Sequence, residues 1–283
     1  MSHDEKTIYY SAKENSSLFQ LLLSIFRGFK EGADLGKRLF IRDTMALYRQ
    51  SALGLLWAII IPLAQTLVWV FLSKGGVLNV GETGVPYPIY VLSGVMIWRS
   101  FVDAMNAPLT MFNSSKPILK KINFPKEALI ITSIYKVLFN LGINLLVLIP
   151  LFIYYGLMPG IGTLLGLLAL IPVIAFGLAI GVLITPFGAL FTDVQKFIMS
   201  FMQLFFFLTP IIYPARTEGL LAQLTVYNPA AISICTARDL LLGTADHLAA
   251  GYGIFLISTV LISIVGLMLY RISLPIIIER SGS

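Results

Sequence analysis

From Lys136 to Asp193 the chain carries no charged side chain at all. A bilayer core is crossed by about 20 apolar helical residues, so this run is long enough for two crossings. Gly156-Leu157-Met158-Pro159-Gly160 divides it, which predicts two helices joined by a short turn. The rest of the chain fits the same solvent. It is 57% hydrophobic and 12% charged, with a mean hydropathy of +0.87, against roughly 25% charged residues in soluble domains. A water-soluble fold of 283 residues cannot hide so much apolar side chain. Most of its surface must therefore meet lipid, and the expected class is an all-α integral membrane protein. About fifty residues of mixed charge precede the first long apolar run, so no signal peptide is expected.

Six spans are expected, at about 53–73, 88–112, 129–155, 163–190, 197–213 and 251–270. They make a transmembrane domain over 53–271, preceded by a tail and interfacial helix over 1–52 and followed by a tail over 272–283. The second span is the least regular, because Arg99 and Asp103 lie inside it. Charge distribution supports keeping it. Residues 1–50 hold eight Lys/Arg, and Lys116, Lys120, Lys121, Lys126, Lys196, Arg271 and Arg280 fall on the same side when six spans are threaded. The opposite side has Lys74, Arg216 and Arg238. Positive residues concentrate on the cytoplasmic side of membrane proteins, so both termini are expected there. The basic excess then marks a membrane face, not a nucleic-acid site.

Three regions lie outside the spans. The stretch 42–63 runs from a basic amphipathic segment straight into an apolar span, and residues 34–50 read as an interfacial helix. Asp34 is placed to cap its start, Leu35 and Leu39 share one face, and Arg38 and Arg42 form an i,i+4 row. These cations are either ordinary juxtamembrane residues or, with Arg49, a cytoplasmic doorway for a phosphate-bearing lipid headgroup. The loop 113–127 is basic, contains Pro117 and Pro125, and is more apolar than a solvated connector needs. It reads as a short helix that docks on a cytoplasmic partner or lies on the headgroups. In 214–250, Asn228-Pro229 is a good helix start. Two short re-entrant or interfacial helices are expected there, covering the bundle or forming an external gate.

A charge at the bilayer centre costs about 2.5–3.5 kcal/mol on insertion scales, so each intramembrane polar group needs a reason. Arg99 and Asp103, four residues apart, can pair on one helix face, either stabilising the bundle or flanking the mouth of a conduit. Lys136, Asn140 and Asn144 recur at i,i+4 as a polar stripe. It serves as interhelical glue or as the wall of a watered path, and Lys136 can snorkel to the surface. Trp98, Phe201, Phe205 and Tyr213 belong to a rich set of aromatics that forms belt and core or offers flat faces to sugar rings. Gly162-xxx-Gly166 and Gly177-xxx-Gly181 permit close helix approach.

Several chemistries are excluded. No G-x-x-x-x-G-K-[ST] phosphate loop occurs, so ATP is not bound in that manner. The single Cys235 and the two histidines leave no material for a disulfide framework or a thiolate or histidine metal cluster. Buried acids are too few for a typical proton- or sodium-coupled carrier. No catalytic constellation is present, and an enzyme is not expected. Energy for transport must come from another chain.

The chain resembles the membrane-spanning subunit of type 2 ABC exporters, in the branch that moves lipid-linked polysaccharides such as O-antigen, capsule or teichoic acid. The resemblance rests on Arg42-Asp43, Tyr48-Arg49-Gln50-Ser51 and Leu53-Gly54-Leu55-Leu56-Trp57 followed by Pro62-Leu63. It continues through Leu92-Ser93-Gly94 with Trp98, Asn123-Phe124-Pro125, Leu208-Thr209-Pro210-Ile211-Ile212-Tyr213-Pro214 and Asn228-Pro229. One departure is Phe191-Thr192-Asp193-Val194, where many relatives carry arginine before the aspartate. The resemblance implies a homodimer in the inner membrane with two cytoplasmic ATPase subunits, so that ATP and Mg are bound by the partner and no cofactor directly by this chain. It makes Lys116, Pro117, Lys120, Lys121, Phe124 and Pro125 the ATPase-coupling loop. It places a channel, with Trp98, Arg99, Asp103, Lys136, Asn140, Asn144, Phe201, Phe205 and Tyr213 as candidate lining, at the dimer interface. The expected substrate is a lipid-linked glycan, most simply O-antigen for lipopolysaccharide. A permease for a small amphipathic drug or lipid, or an ATPase-independent gated channel, is the alternative.

Overall fold

A computed structural model describes residues 18–49, 53–77, 80–119, 121–122, 124–215, 219–245 and 250–280. Among the described residues the regular elements are nine helices: α1 (Leu18–Arg49), α2 (Leu56–Lys74), α3 (Tyr87–Leu119), α4 (Glu127–Tyr154), α5 (Ile161–Leu190), α6 (Asp193–Leu208), α7 (Leu220–Tyr227), α8 (Pro229–Leu242) and α9 (Tyr252–Arg280). Four of them, α2, α4, α5 and α9, are long and apolar enough to cross a membrane. The chain is a multi-pass, all-helical membrane protein, as its composition requires.

Helix α5 is the hub. It is apolar on every side, which suits a helix surrounded by others, and it packs on α3, α9 and α8. Its small residues set how closely these neighbours approach. A Cβ on Gly177 would lie 2.6 Å from the Phe101 carbonyl oxygen of α3, and one on Gly181 would lie 2.3 Å from that of Met105. On the other side, a Cβ on Gly166 would sit 2.3 Å from the Leu241 amide nitrogen of α8. Both glycine pairs seen in the sequence are therefore contact seams. By contrast α2 buries only Pro62 and Thr66, and α6 buries no residue.

The Leu208–Pro214 motif forms a corner after α6 that packs against α8. Asn228 caps α8, accepting from the amides of Ala230 at 3.0 Å and Ala231 at 3.2 Å, with Pro229 in the first turn as expected. Its Nδ2 donates to Thr209 Oγ1 at 3.2 Å. Arg238 is only 1% exposed. Its Nη1 donates to the Pro210 carbonyl at 2.8 Å, its Nε to Asp239 at 3.0 Å, and its guanidinium lies 4.1 Å from the Tyr90 ring centroid. This arginine, counted above among the charges on the side opposite the basic-rich one, is a buried structural tie.

Three local expectations are corrected. The interfacial helix starts well before Asp34, at Leu18, so Asp34 cannot cap it. Asp34 instead accepts from Arg38 one turn on, at 2.9 Å. Leu39 is buried and Leu35 packs against the same cluster, as their shared face implies. The 113–127 segment is not a separate short helix. Helix α3 continues without a break to Leu119, and the connection before α4 is a short loop. The 197–213 span lies in α6, which stops at Leu208 because Pro210 cannot extend it.

The seams give a direct test. Gly181→Ala should destabilise the protein by about 1–3 kcal/mol, because backbone atoms must move to admit the methyl group. Gly142→Ala, where a Cβ meets nothing within 4 Å, should be neutral or stabilising by up to about 1 kcal/mol. Thermal unfolding of the detergent-solubilised variants measures the contrast.

Candidate functional site

Helices α2, α3 and α6 border an open cavity of about 410 Å³ lined by Gln65, Trp69, Val95, Trp98, Arg99, Val102, Met199, Met202, Gln203, Phe206 and Phe207. It combines flat aromatic faces with two amides and one guanidinium. Trp98 has Phe101 at 5.7 Å, Phe206 at 5.9 Å and Phe205 at 6.2 Å between ring centroids. Trp69 stacks on Phe206 at 6.0 Å. Arg99 Nη1 approaches Gln65 Oε1 at 3.4 Å across the α2–α3 contact. From this cavity an aromatic ladder runs along α6, Phe205 stacking on Phe201 at 5.6 Å and Phe201 on Phe197 at 6.3 Å. Phe201 is 46% and Phe197 71% exposed. Spacing of four residues puts all three rings on one helix face.

Of the residues expected to line a channel, Trp98 and Arg99 meet at this cavity, and Phe205 and Phe201 extend from it. The other four polar or charged candidates lie elsewhere. Arg99 and Asp103 do not pair with each other. Asp103 instead accepts from Asn140 Nδ2 of α4 at 3.3 Å, which satisfies both groups across a helix interface. Lys136 and Asn140 line a separate cavity of about 80 Å³ with Phe40, Asp43, Thr44 and Thr132, while Asn144 is buried. Tyr213 is tied at the corner, its hydroxyl donating to the Phe207 carbonyl at 2.7 Å. Phe206 belongs to the aromatic set read from sequence, whereas Gln65, Trp69 and Gln203 were not singled out. Glutamines set within the apolar stretches of α2 and of the second half of α6 are the signal that marks two of them.

The doorway arginines all lie on α1. Arg38 pairs with Asp34, both side chains 76% exposed. Arg42 pairs with Asp43 at 2.7 Å, and Asp43 also lines the small cavity beside Lys136. Arg49 closes the helix, where a cation favours the C-terminal dipole. In the coupling region, Lys116 and Pro117 belong to the last turn of α3, and Lys116 Nζ reaches the Ala189 carbonyl at 3.4 Å. Lys121 is exposed, and Phe124 and Pro125 are half-buried before α4. Lys120 lies outside the described residues.

Beneath this region sits an ion pair with a buried carboxylate and a partly exposed guanidinium, which the sequence did not single out. Glu127, at the first position of α4, is 1% exposed and hydrogen-bonds Arg271 of α9. The neighbouring Tyr270 hydroxyl donates to the Lys126 carbonyl at 3.1 Å. Helix α1 closes over the pair through Gly28, Gly32 and Gly36. A Cβ on Gly28 would stand 2.5 Å from the Glu127 carboxyl carbon, and one on Gly36 would stand 2.7 Å from the Ile131 side chain. The i,i+4 spacing of these glycines is the signal that identifies the seam. The Glu127 carboxylate thus ties α4 to α9 and lies against Gly28 of α1, while the Tyr270 hydroxyl ties α9 to the loop before α4.

Breaking a buried pair from one side leaves the other charge uncompensated, which costs about 3–5 kcal/mol. Arg271→Met should therefore unfold at markedly lower temperature than the unsubstituted protein. Adding Glu127→Gln to it should restore part of the loss, a non-additivity read by a double-mutant cycle.

No protein-family model matches the chain. It is 25% identical over 242 residues to an O-antigen export system permease protein RfbA of Klebsiella pneumoniae, covering 81% of this chain and 88% of that one. A second protein of that name from Klebsiella pneumoniae is 26% identical with the same coverage. One from Myxococcus xanthus is 26% identical over 200 residues, covering 69% of this chain and 75% of that one. The resemblance read from the sequence is thus borne out, and the chain is a multi-pass membrane protein related to the O-antigen export system permeases.

Proposed function

We propose that this chain is the transmembrane subunit of an ABC exporter that carries lipid-linked O-antigen polysaccharide across the cytoplasmic membrane, driven by ATP hydrolysis on a separate ATPase. The observation that carries the reading is the likeness to named O-antigen export permeases over most of both chains. The cavity between α2, α3 and α6 agrees with it chemically. A sugar ring has an apolar C–H face and a rim of hydroxyls. Trp69, Trp98 and Phe206 offer surfaces for the first, and Gln65, Gln203 and Arg99 offer hydrogen-bonding groups for the second.

In this reading six crossings place both termini in the cytoplasm, with α3 and α6 completing the four most apolar helices. Two copies associate through the exposed apolar faces of α2 and α6, and the Phe197–Phe201–Phe205 ladder lines a conduit between them. The ATPase bears on the end of α3 and the loop through Phe124 and Pro125. The Glu127–Arg271 pair then carries its movement to α1 and α9. Arg38, Arg42 and Arg49 face the cytoplasmic headgroup layer, where a polyprenyl diphosphate would enter and where guanidinium forks suit phosphate oxygens.

Depleting the protein should make lipid-linked glycan accumulate on the cytoplasmic leaflet while surface O-antigen disappears. Complementation with the double variant Arg99→Leu and Gln203→Leu should restore assembly with the ATPase but leave export at least roughly fivefold reduced, since each lost hydrogen-bonding group is worth about 0.5–1.5 kcal/mol. Normal export by that variant would sink the cavity's role, and surface glycan unaffected by depletion would sink the substrate. The doorway has its own check. Replacing Arg38, Arg42 and Arg49 together by glutamine should abolish stimulation of the ATPase by lipid-linked glycan while leaving basal hydrolysis intact; stimulation at the ordinary level would remove the doorway from the mechanism.

A further inference from the structure

A third cavity, about 490 Å³, opens where α1 crosses the start of α4 and the Arg271–Pro275 turn of α9. Ser24, Arg27, Gly28 and Glu31 of α1 form one wall, Phe124, Pro125 and Lys126 a second, and Arg271 with Pro275 a third. Three cations and one carboxylate converge on it. The Glu127 carboxylate behind the wall engages Arg271, so three cations face two carboxylates, Glu31 and Glu127, and one positive charge is left over. Burial, reinforced by the Arg271 cation and opposed by the Glu127 carboxylate, holds the Lys126 ammonium below its usual range. The cavity therefore has a positive field that an anion would relieve.

Three observations narrow the anion. The volume falls within the roughly 300–1,000 Å³ of small-molecule sites. Polar and apolar surface are mixed, with Phe124, Pro125 and Pro275 beside the cations, as suits a molecule charged at one end and apolar at the other. In the six-crossing reading proposed above, the cavity also lies at headgroup depth. It sits against an amphipathic helix with Ile25 and Leu39 buried and its charged face exposed, at the end of the apolar run of α9. Basic pockets between membrane helices at the cytoplasmic face are suited to phospholipid headgroups.

We infer that this cavity binds the phosphate of an anionic phospholipid of the inner leaflet, held by Arg27, Lys126 and Arg271 under α1. The inference needs the basic helix ends to face the cytoplasmic leaflet. It does not depend on which glycan is exported, and failure of either reading leaves the other standing. A lipid there would brace the α1–α4–α9 junction from outside the protein.

Native mass spectrometry of the purified full-length protein with added phosphatidylglycerol or phosphatidylcholine tests it. The unsubstituted protein should retain phosphatidylglycerol preferentially. Arg27→Gln with Lys126→Gln should cut that preference by roughly thirtyfold. Ser24→Trp, which fills the cavity without changing charge, should cut it as well and carries the test if the charge variant does not fold. Lys30→Gln with Lys37→Gln removes the same charge from α1 outside the cavity lining and should leave the preference intact. Equal loss in this control, or no preference in the unsubstituted protein, overturns the inference. Displacement of the lipid by millimolar inorganic phosphate identifies a free anion and overturns the lipid source. Variants that keep their lipid but lose the ATPase partner assign the cavity to a protein contact instead.

Discussion

Everything in this molecule hangs on backbone-to-backbone approach along α5. Lipid tails are as apolar as leucine, so the force that assembles a soluble core gives little reason for one membrane helix to prefer another. What distinguishes the native partner is dispersion at short range, and this falls away steeply with small gaps. Gly166, Gly177 and Gly181 let α8 and α3 approach α5 to distances at which even a methyl group would collide. The hub then fixes where α3 stands. Helix α3 in turn positions Trp98 and Arg99 against the loosely held α2 and α6.

Polar groups within the bundle divide in two: hydroxyls such as those of Thr66, Ser100 and Thr185 bond back to their own helix, whereas several amides, carboxylates and guanidinium groups reach a neighbouring element. Arg99 reaches Gln65, Asp103 takes a hydrogen bond from Asn140, Gln195 donates to Asn106 at 3.0 Å, and Arg238 spans from α8 to the corner after α6. Such contacts specify which helix faces which, since a wrong pairing would leave a polar group unsatisfied in a medium without water. Tight, polar-registered packing occurs around α3, α4, α5 and α8. The aromatic faces of α2 and α6 have little of it, which is why they are suited to meeting something outside the subunit.

The long helices were legible because lipid imposes a simple demand: continuous apolarity over a fixed length. Asn228-Pro229 was legible because capping is local chemistry. Asp34 misled for the same reason. It looks like a cap, but the apolar face of α1 extends back through Ile25 and is secured by packing on α4, which overrides a local signal. Residues 113–119 looked like a separate element because Pro117 suggested a break, yet a proline near the end of α3 leaves most of its hydrogen bonds intact. Gln65 and Gln203 meet only because the bundle folds, as do Glu127 and Arg271. Periodicity in sequence carries no information about contacts of that range.

The continuity of α3 has a mechanical consequence. A helix of 33 residues is about 50 Å long. One end is pinned: Tyr87 donates to the Ile212 carbonyl, Tyr90 lies against the Arg238 guanidinium, and Gly94 abuts the Ile211 backbone. The other end projects to Lys116. Such an element is a lever with its fulcrum against α8, and a tilt of ten degrees would sweep its far end through about 9 Å, carrying with it the buried cluster that Met111, Phe112 and Leu119 join. Pro108, which lacks the amide that would close its turn, is the place where the arm can flex. Trp98 and Arg99 sit near the fulcrum, where the same rotation moves them far less than it moves the tip.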